Sequence, residues 1–369
     1  MNVAIILPTY NERDTIQLLL DRLEQVSKTI PKNTFHFVVV DDNSPDGTIE
    51  LVKKRQKTHH NISLLTGPKL GLGRALLRGM KYSIDELHAD IIIQMDADLS
   101  HDPSVVPDFV SAIDNGNDFV VGSRYIRGGS IPENWAPHRK LFSIIGNAIV
   151  RYGLGFPTVH DWTGGYRAYI PKHVHALEKE ISEYSGYVFQ IAFLHKSILL
   201  GAKIKEIPIH FTDRRFGHSK IAPSEYIRNV LWYVGHERFL AIVKGSLGKF
   251  LVVGSIGLLI NSVLLELFVR IGFHPIVGSI IGAEMAIISN FFLNNAWTFR
   301  SRAIANPHRI RKFFQFNGSS FGALFIQASS VYFGTHIFGR EAYRLFFVIG
   351  VGIGLIYNYL MYSKVIWKK

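Results

Sequence analysis

Ile91-Ile92-Ile93-Gln94-Met95-Asp96-Ala97-Asp98 is an apolar run that stops at two carboxylates one residue apart. The run is too short for a helix and rich in β-branched side chains, so it reads as a buried strand. Continued as a strand, it sends Asp96 and Asp98 the same way, because side chains alternate with period two. Carboxylates at the C-terminal end of an inner strand lie where open α/β sheets bind ligands. Two hard oxygen donors suit Mg²⁺ or Mn²⁺, which is usually held by one or two carboxylates plus substrate phosphates. Alone, Asp-X-Asp is also what an ordinary solvated turn looks like, so the flanking chain decides.

Upstream, Val3-Ala4-Ile5-Ile6-Leu7 reads as a first strand stopped by Pro8, with a helix from Arg13 to Val26 behind it. Phe35 to Val40 is a second strand, ending in Asp41-Asp42-Asn43-Ser44-Pro45-Asp46-Gly47-Thr48, a run of turn and capping residues. Ile62 to Leu65 is a short third strand, followed by the glycine-punctuated loop Gly67 to Gly73 with Lys69 and Arg74. Downstream, Phe119 to Gly122 is a fifth strand, Tyr187 to Leu200 a helix and Ile204 to Phe211 a further strand. Strands alternating with helices imply a mostly parallel sheet covered on both faces. Polar residues gather where the strands end: Pro8 to Glu12, Asp41-Asp42, Asp96-Ala97-Asp98 and Ser123-Arg124-Tyr125. Core packing does not explain that convergence; a ligand site does. Gly71-Leu72-Gly73 is not a dinucleotide fingerprint placed after the first strand, and no Gly-Lys-Ser/Thr phosphate loop occurs.

Composition narrows the chemistry. Of 369 residues, 41 are Lys or Arg and 29 are Asp or Glu, a net charge of +12 that favours an anionic partner. The basic residues cluster at membrane boundaries and phosphate loops, so no nucleic acid is expected. With no cysteine there is no disulfide, thiolate nucleophile or Cys-ligated zinc. Val3 to Leu7 is too short for a signal peptide, so the N-terminal part is expected on the cytosolic side.

Pro8-Thr9-Tyr10-Asn11-Glu12, Val40 to Thr48 and Asp96-Ala97-Asp98-Leu99-Ser100 together resemble glycosyltransferase family 2. Within it they look most like polyprenyl-phosphate glycosyltransferases of the dolichyl-phosphate mannose synthase type, over essentially all of residues 1–220. The resemblance implies an α/β GT-A fold, a nucleotide-diphosphate sugar donor, a divalent metal and inversion at the anomeric carbon. Carried over by position, Pro8, Tyr10, Glu12, Val40 and Asp42 meet the nucleotide base and ribose. Asp96, Ala97 and Asp98 meet ribose, diphosphate and metal, with Asp96 and Asp98 as metal ligands. Ser100 stands where that type often has Gln as a further metal contact, and Ala192 where it commonly has Glu. Arg124, Arg139 and Ser143 match positions that hold the lipid acceptor's phosphate, a task suited to Arg because its planar fork binds phosphate oxygens in pairs. Asp161 to Ala168 resembles a family stretch near the reaction centre, with Gly164 in place of Ser. His138 to Arg151 opens a helix with basic and apolar faces, a pattern common on membrane surfaces. Thr212 to Lys220 gathers cations beside Gly217 and reads as a flap, with Arg214 and Lys220 neutralising the donor diphosphate.

The last third changes character. Residues 223–245 look interfacial, and apolar segments near 247–271, 275–298, 313–338 and 343–366 are each long enough to span a bilayer. Basic residues Arg300, Arg302, Arg309, Arg311, Lys312, Lys364, Lys368 and Lys369 lie on one side; Arg270, Arg340 and Arg344 lie on the other. That bias puts both ends of the membrane domain in the cytosol with the catalytic domain. Glu284 falls mid-span and needs a partner there. This part resembles four-helix GtrA-like domains, through Gly254 to Gly257, Asn261, Ser289 to Phe291 and Asn295 to Phe299. The expected layout is a GT-A catalytic domain at 1–222, an interfacial linker at 223–245 and an all-α four-helix transmembrane domain at 246–369. The expected reaction is transfer of a hexose, mannose from GDP-mannose, to a polyprenyl or dolichyl phosphate. The rivals are UDP-glucose-type transfer to undecaprenyl phosphate and a non-enzymatic lipid-linked sugar carrier or flippase. A processive polysaccharide synthase is disfavoured, since no Gln-X-X-Arg-Trp stretch occurs.

Overall fold

The computed structural model describes residues 1–213 and 223–368. The chain divides into two compact units, Met1–Glu237 and Arg238–Lys369.

The first unit is built on a seven-stranded sheet: β1 (Asn2–Thr9), β2 (Thr34–Asp41), β3 (Ile62–Thr66), β4 (Ile91–Gln94), β5 (Phe119–Ser123), β6 (Arg167–Tyr169) and β7 (Ile204–Pro208). Their order is β3-β2-β1-β4-β6-β5-β7, parallel except for β6, which runs antiparallel between β4 and β5. Helices α1 (Arg13–Ser27), α2 (Thr48–Gln56), α3 (Leu72–Asp85), α4 (Val106–Asp114), α5 (Pro137–Leu154), α6 (Pro171–Ile181) and α7 (Gly186–Leu199) connect the strands. Two apolar clusters share the strands by alternation. Ala4, Ile6, Val38, Val40 and Ile92 face one; Val3, Ile5, Leu7, Val39 and Ile93 face the other. This is the mark of an inner sheet buried on both sides. Helix α3 approaches closely at Gly79, where a Cβ would sit 2.6 Å from Ile6 Cγ2.

Strand ends shift from the sequence reading, β7 stopping at Pro208 and not Phe211, and two of the shifts bear on the site. β1 runs through Pro8 to Thr9. Pro8 is tolerated because its nitrogen faces β4, and the β1–β4 pairing has already ended at Ile6 opposite Gln94. The last bond across that seam is from Met95 N–H to the Ile6 carbonyl. β4 in turn stops at Gln94, so Asp96 and Asp98 are not placed by strand alternation. The chain leaves the ladder there and Leu99 takes φ +64°, a left-handed value outside any strand.

Helix α8 (Pro223–Lys244) occupies the stretch expected to be interfacial. Its Val230, Tyr233 and Val234 join the core of the first unit. The Tyr233 hydroxyl bonds His195 Nδ1 on α7 at 2.9 Å. Trp232 and Phe239 on the same helix are exposed.

The second unit holds α9 (Ser246–Arg270), α10 (Pro275–Leu293), α11 (Arg309–Phe338) and α12 (Tyr343–Met361). Helices α10 and α12 have the same length, 19 residues, and each runs into a five-residue π-turn. The turns end at Phe299 and Trp367, whose rings stack at 4.9 Å. Asn295 Oδ1 accepts from Trp367 Nε1 at 2.9 Å and from Ile304 N at 2.7 Å. Among the described residues, Ser246–Arg270 and Val348–Ile366 are long and apolar enough to cross a membrane. The two acidic side chains in these helices have partners. Glu266 accepts from Arg270 Nε at 2.8 Å, and Glu284 from Asn317 Nδ2 at 3.4 Å.

Candidate active site

The strand ends do converge. Where β1 and β2 finish, Asp41 is fully buried and accepts from Thr9 Oγ1 (2.8 Å), Ser44 N (2.7 Å) and Ser44 Oγ (2.7 Å). Ser44 Oγ also receives the N–H of Asn11, so the two turns are tied together. Asp42 is the outward member of the pair and meets Arg78 Nη2 at 2.8 Å. Arg78 comes from α3 and passes over Gly67, where any Cβ would collide with its guanidinium. Tyr10 lies under the Lys69 ammonium, 3.6 Å from ring centre to Nζ. Glu12 opens α1: its carbonyl accepts from Thr15 and Ile16, and its carboxylate from Thr15 Oγ1. Pro8 is half-buried at the end of the same strand. The side chains of Val40 and Ala97 are buried in the core, so what they offer a ligand is backbone.

Beyond β4, Asp98 Oδ1 accepts from Ser100 N at 3.0 Å, a tight Asx turn. The Ser100 hydroxyl is buried and has no hydrogen-bond partner. Among the described residues no cluster of three His, Cys, Asp or Glu could hold a metal. Two carboxylates and one unsatisfied hydroxyl fit a hard cation whose remaining ligands are substrate oxygens, and not a closed protein cage. His101 is 2% exposed, and its Nδ1 accepts the N–H of Asp96 at 3.0 Å. Burial holds its pKa below the ordinary value, against the pull of Asp96 and Asp98. The ring is therefore neutral, with its proton on Nε2.

On the other side of the sheet edge, Arg124 follows β5 and grips Asp161 with two bonds, Nε to Oδ2 at 2.7 Å and Nη2 to Oδ1 at 2.8 Å. Burial alone would raise the Asp161 pKa. The charge and hydrogen bonds of Arg124, with the Gly164 N–H, lower it below the ordinary 3.8. Arg124 Nη2 also donates to Thr163 Oγ1, which receives Asn147 Nδ2. Asn147 donates to the Ser143 carbonyl one helical turn earlier, and Ser143 Oγ meets Tyr125 OH at 2.5 Å. One polar chain thus links Arg124 to Ser143. Arg139, one turn before Ser143 on α5, lies outside it. Its guanidinium stacks 4.0 Å over Trp135, and Nη1 is 3.4 Å from Asp213. The α5 surface carries exposed Leu141, Phe142, Ile145, Ile149 and Tyr152 beside these polar groups. Arg214 and Lys220 lie outside the described residues.

Several supporting residues went unnoticed in the sequence. Arg78, Asn147 and His101 are among them; Tyr125 and the fully buried Arg167 stood in stretches already marked, without a role of their own. Arg167 donates to the carbonyls of Gly164, Trp162 and Gln190 and so braces the stretch that carries Asp161. Asn147 had a visible signal, a polar side chain on the buried face of an apolar helix. Arg78 had none, because its partner is 36 residues away.

Comparison with known proteins agrees with this architecture. Residues 4–177 match the model of glycosyl transferase family 2, and residues 249–367 match the GtrA/DPMS transmembrane domain. Dolichol-phosphate mannosyltransferase of Pyrococcus furiosus is 33% identical over 308 residues, 81% of this chain and 82% of that protein. Polyprenol monophosphomannose synthase of Mycolicibacterium smegmatis is 35% identical over 237 residues, 62% of this chain and 84% of that protein. Among solved structures, glucosyl-3-phosphoglycerate synthase from Mycobacterium tuberculosis, crystallised with Mn²⁺, UDP and glucosyl-3-phosphoglycerate, aligns with TM-score 0.44. It is 18% identical, over 65% of this chain and 79% of that one. With its strand-end site, its family match and a relative similar over most of both lengths, the chain belongs to glycosyltransferase family 2 and carries a C-terminal GtrA/DPMS transmembrane domain.

Proposed function

We propose that the protein transfers mannose from GDP-mannose to a polyprenyl phosphate, with inversion, at the cytosolic face of a membrane. The observation that carries this reading is the extent of the Pyrococcus furiosus match. At 308 residues it is longer than the first unit, so it takes in both the transferase and part of the membrane unit. The relatives' names differ in the isoprenoid and agree on mannose and a lipid phosphate. For the topology, all four helices of the second unit span the bilayer. The basic residues between α10 and α11 and at the C-terminus face the cytosol. Residues 223–245 make the interfacial connection, with Trp232 and Phe239 outward.

The chemistry needs no strong base. A phosphomonoester has its second pKa near ~6, so the acceptor is largely a dianion at neutral pH. Its oxygen attacks the anomeric carbon, the bond to the nucleoside diphosphate breaks, and the diphosphate leaves with the electron pair. The residues of this chain have to hold two anions together and exclude water. Tyr10, Glu12 and Asp42 receive the nucleoside, with Pro8, Val40 and Ala97 contributing backbone. Asp96, Asp98 and Ser100 face the diphosphate and would hold Mg²⁺ or Mn²⁺, which offsets leaving-group charge when bound. Arg214 and Lys220 add to that from the basic stretch of the sequence at 212–220. Arg124, Arg139 and Ser143 take the acceptor phosphate. The Asp161 pair keeps the Arg124 guanidinium in one orientation, and the exposed apolar face of α5 lies against lipid.

The test is a purified full-length enzyme offered GDP-mannose, UDP-glucose and UDP-N-acetylglucosamine against one polyprenyl phosphate, with Mn²⁺ or Mg²⁺. Transfer from GDP-mannose is expected. Asp98→Ala should lower kcat roughly 10²–10³-fold, the usual cost of losing a charge-stabilising group. Transfer from UDP-glucose alone overturns the choice of donor. No transfer from any donor, with lipid-linked sugar still moved across vesicles, makes the protein a carrier.

A further inference from the structure

The Asp96-to-Ser100 loop has lost the sheet and must be shaped by something else. Its last backbone bond to β1 is from Met95 N–H. Leu99 at φ +64° carries a strain of order ~1 kcal/mol, which persists only where the surroundings over-determine it. Thr212 fixes the far end of the loop, with Oγ1 to the Leu99 carbonyl at 3.1 Å and N–H to the Ser100 carbonyl at 3.3 Å. The Asp98–Ser100 bond fixes a single turn. A side-chain contact closes the loop end to end: His101 Nδ1 accepts the Asp96 N–H five residues back.

We propose that His101 is a positioning residue of the donor site. By accepting the Asp96 N–H it keeps the Asp96-to-Ser100 loop in the shape that presents both carboxylates and the buried Ser100 hydroxyl to the diphosphate. The inference rests on reading that loop as the diphosphate and metal site. The ring is itself immobilised: it stacks on Tyr166 at 4.8 Å and 15°, and meets the edge of Phe211 at 5.7 Å. Tyr166 is anchored in turn, its hydroxyl donating to the Asp102 carbonyl at 3.0 Å and its ring packed on Phe109. The acceptor atom is thus placed by packing, as supporting contacts around metal ligands are. The engaged Nδ1 lone pair leaves that atom unable to take a proton from substrate. The residue therefore acts through Asp96, not on the reacting atoms.

Three substitutions separate geometry from bulk. His101→Asn returns an acceptor oxygen to the place of Nδ1. His101→Gln moves the amide to the place of Nε2. His101→Phe keeps the ring and drops the acceptor. Mn²⁺ affinity of the full-length protein in detergent, with GDP present, is read from the electron paramagnetic resonance of free Mn²⁺, alongside KM for donor and for lipid. Phe and Gln should weaken Mn²⁺ binding about 10–100-fold, the usual range for lost supporting contacts, with KM for the lipid unchanged. Asn should restore most of the affinity. Parent-like Mn²⁺ binding by Phe, or Asn as weak as Phe, overturns the proposal. If Phe does not fold, the Asn and Gln pair decides it in the same way. If the parent binds no Mn²⁺ with GDP, the reading of the loop has failed and the inference falls with it.

Discussion

In the first unit Ile91, Ile92 and Ile93 are fully buried, whereas in the second Leu258, Phe325 and Val348 are 67%, 74% and 66% exposed. Both units bury polar side chains, in different places. Asn294, Asn295 and Thr298 lie inside the second unit, while the first keeps buried polar groups mainly around its site. The same apolar residue types serve two solvents. In water they must be covered; in a bilayer they are the surface, and backbone and amide groups need internal partners. The Trp367–Asn295 contact and the Arg124–Asp161 pair are the matching devices of the two units: each gives a buried polar group, Asn295 in one and Asp161 in the other, its partner.

Three measurements press on that contrast. The largest effect belongs to the first unit. Asp161→Ala leaves the Arg124 guanidinium buried without its carboxylate, and should destabilise this unit by about 3–5 kcal/mol in denaturant melts. A loss under ~1 kcal/mol would mean that water reaches the pair and the contrast is overdrawn. Next comes the second unit. Leu258→Arg, at the middle of α9, should cost about 2.5–3.5 kcal/mol of membrane insertion, read as a fall in the alkali-resistant membrane fraction. Leu18→Arg, on the water-facing side of α1, should stay within about 0.5 kcal/mol of the parent in unfolding experiments. Equal tolerance at both sites would break the comparison.

The smallest of the expected losses concerns pH. Burial pushes the His195 pKa down from 6.5 to about 4, with Glu237 opposing and Lys196 reinforcing the shift. A base with a lowered folded pKa is protonated first in the unfolded chain. Stability is therefore complete above pH 6.5 and falls as pH drops toward about 4. Between neutral pH and pH ~5 the loss should be roughly 2 kcal/mol. Thermal melts of the parent and His195→Gln should converge as pH falls, since Gln does not titrate. Parallel curves would mean that the imidazole is solvated.

What the sequence made legible follows the range of the interactions. Strands β1 to β5 and the apolar helices are local patterns, and period-two and helical spacing reveal them. The clustering of polar residues at strand ends is also local, since each cluster follows its own strand. β6 was not legible. Its three residues include a buried Arg, and Gly164-Gly165 before it reads as loop; only the pairing with β4 and β5 makes it a strand. Alternation put Asp96 and Asp98 on one side for the wrong reason, because the strand ends before either. The sequence marked Asp161 only as the start of a stretch resembling one near the family's reaction centre. It shapes the turn through Gly164 and also clamps Arg124, a partner 37 residues distant.

Pro8 guards that loop in a way that reaches beyond the present sequence. For β4 to lengthen along β1, the carbonyl of Met95 would need the N–H of residue 8, and proline has none. The seam cannot zip further, however strand-prone residues 95–97 become. Mutational drift in the aspartate loop is thereby uncoupled from the sheet beneath it. Substitutions there can retune the ligand set without the loop being absorbed into the ladder. Replacing Pro8 would remove that barrier and make the loop's shape depend on its own sequence.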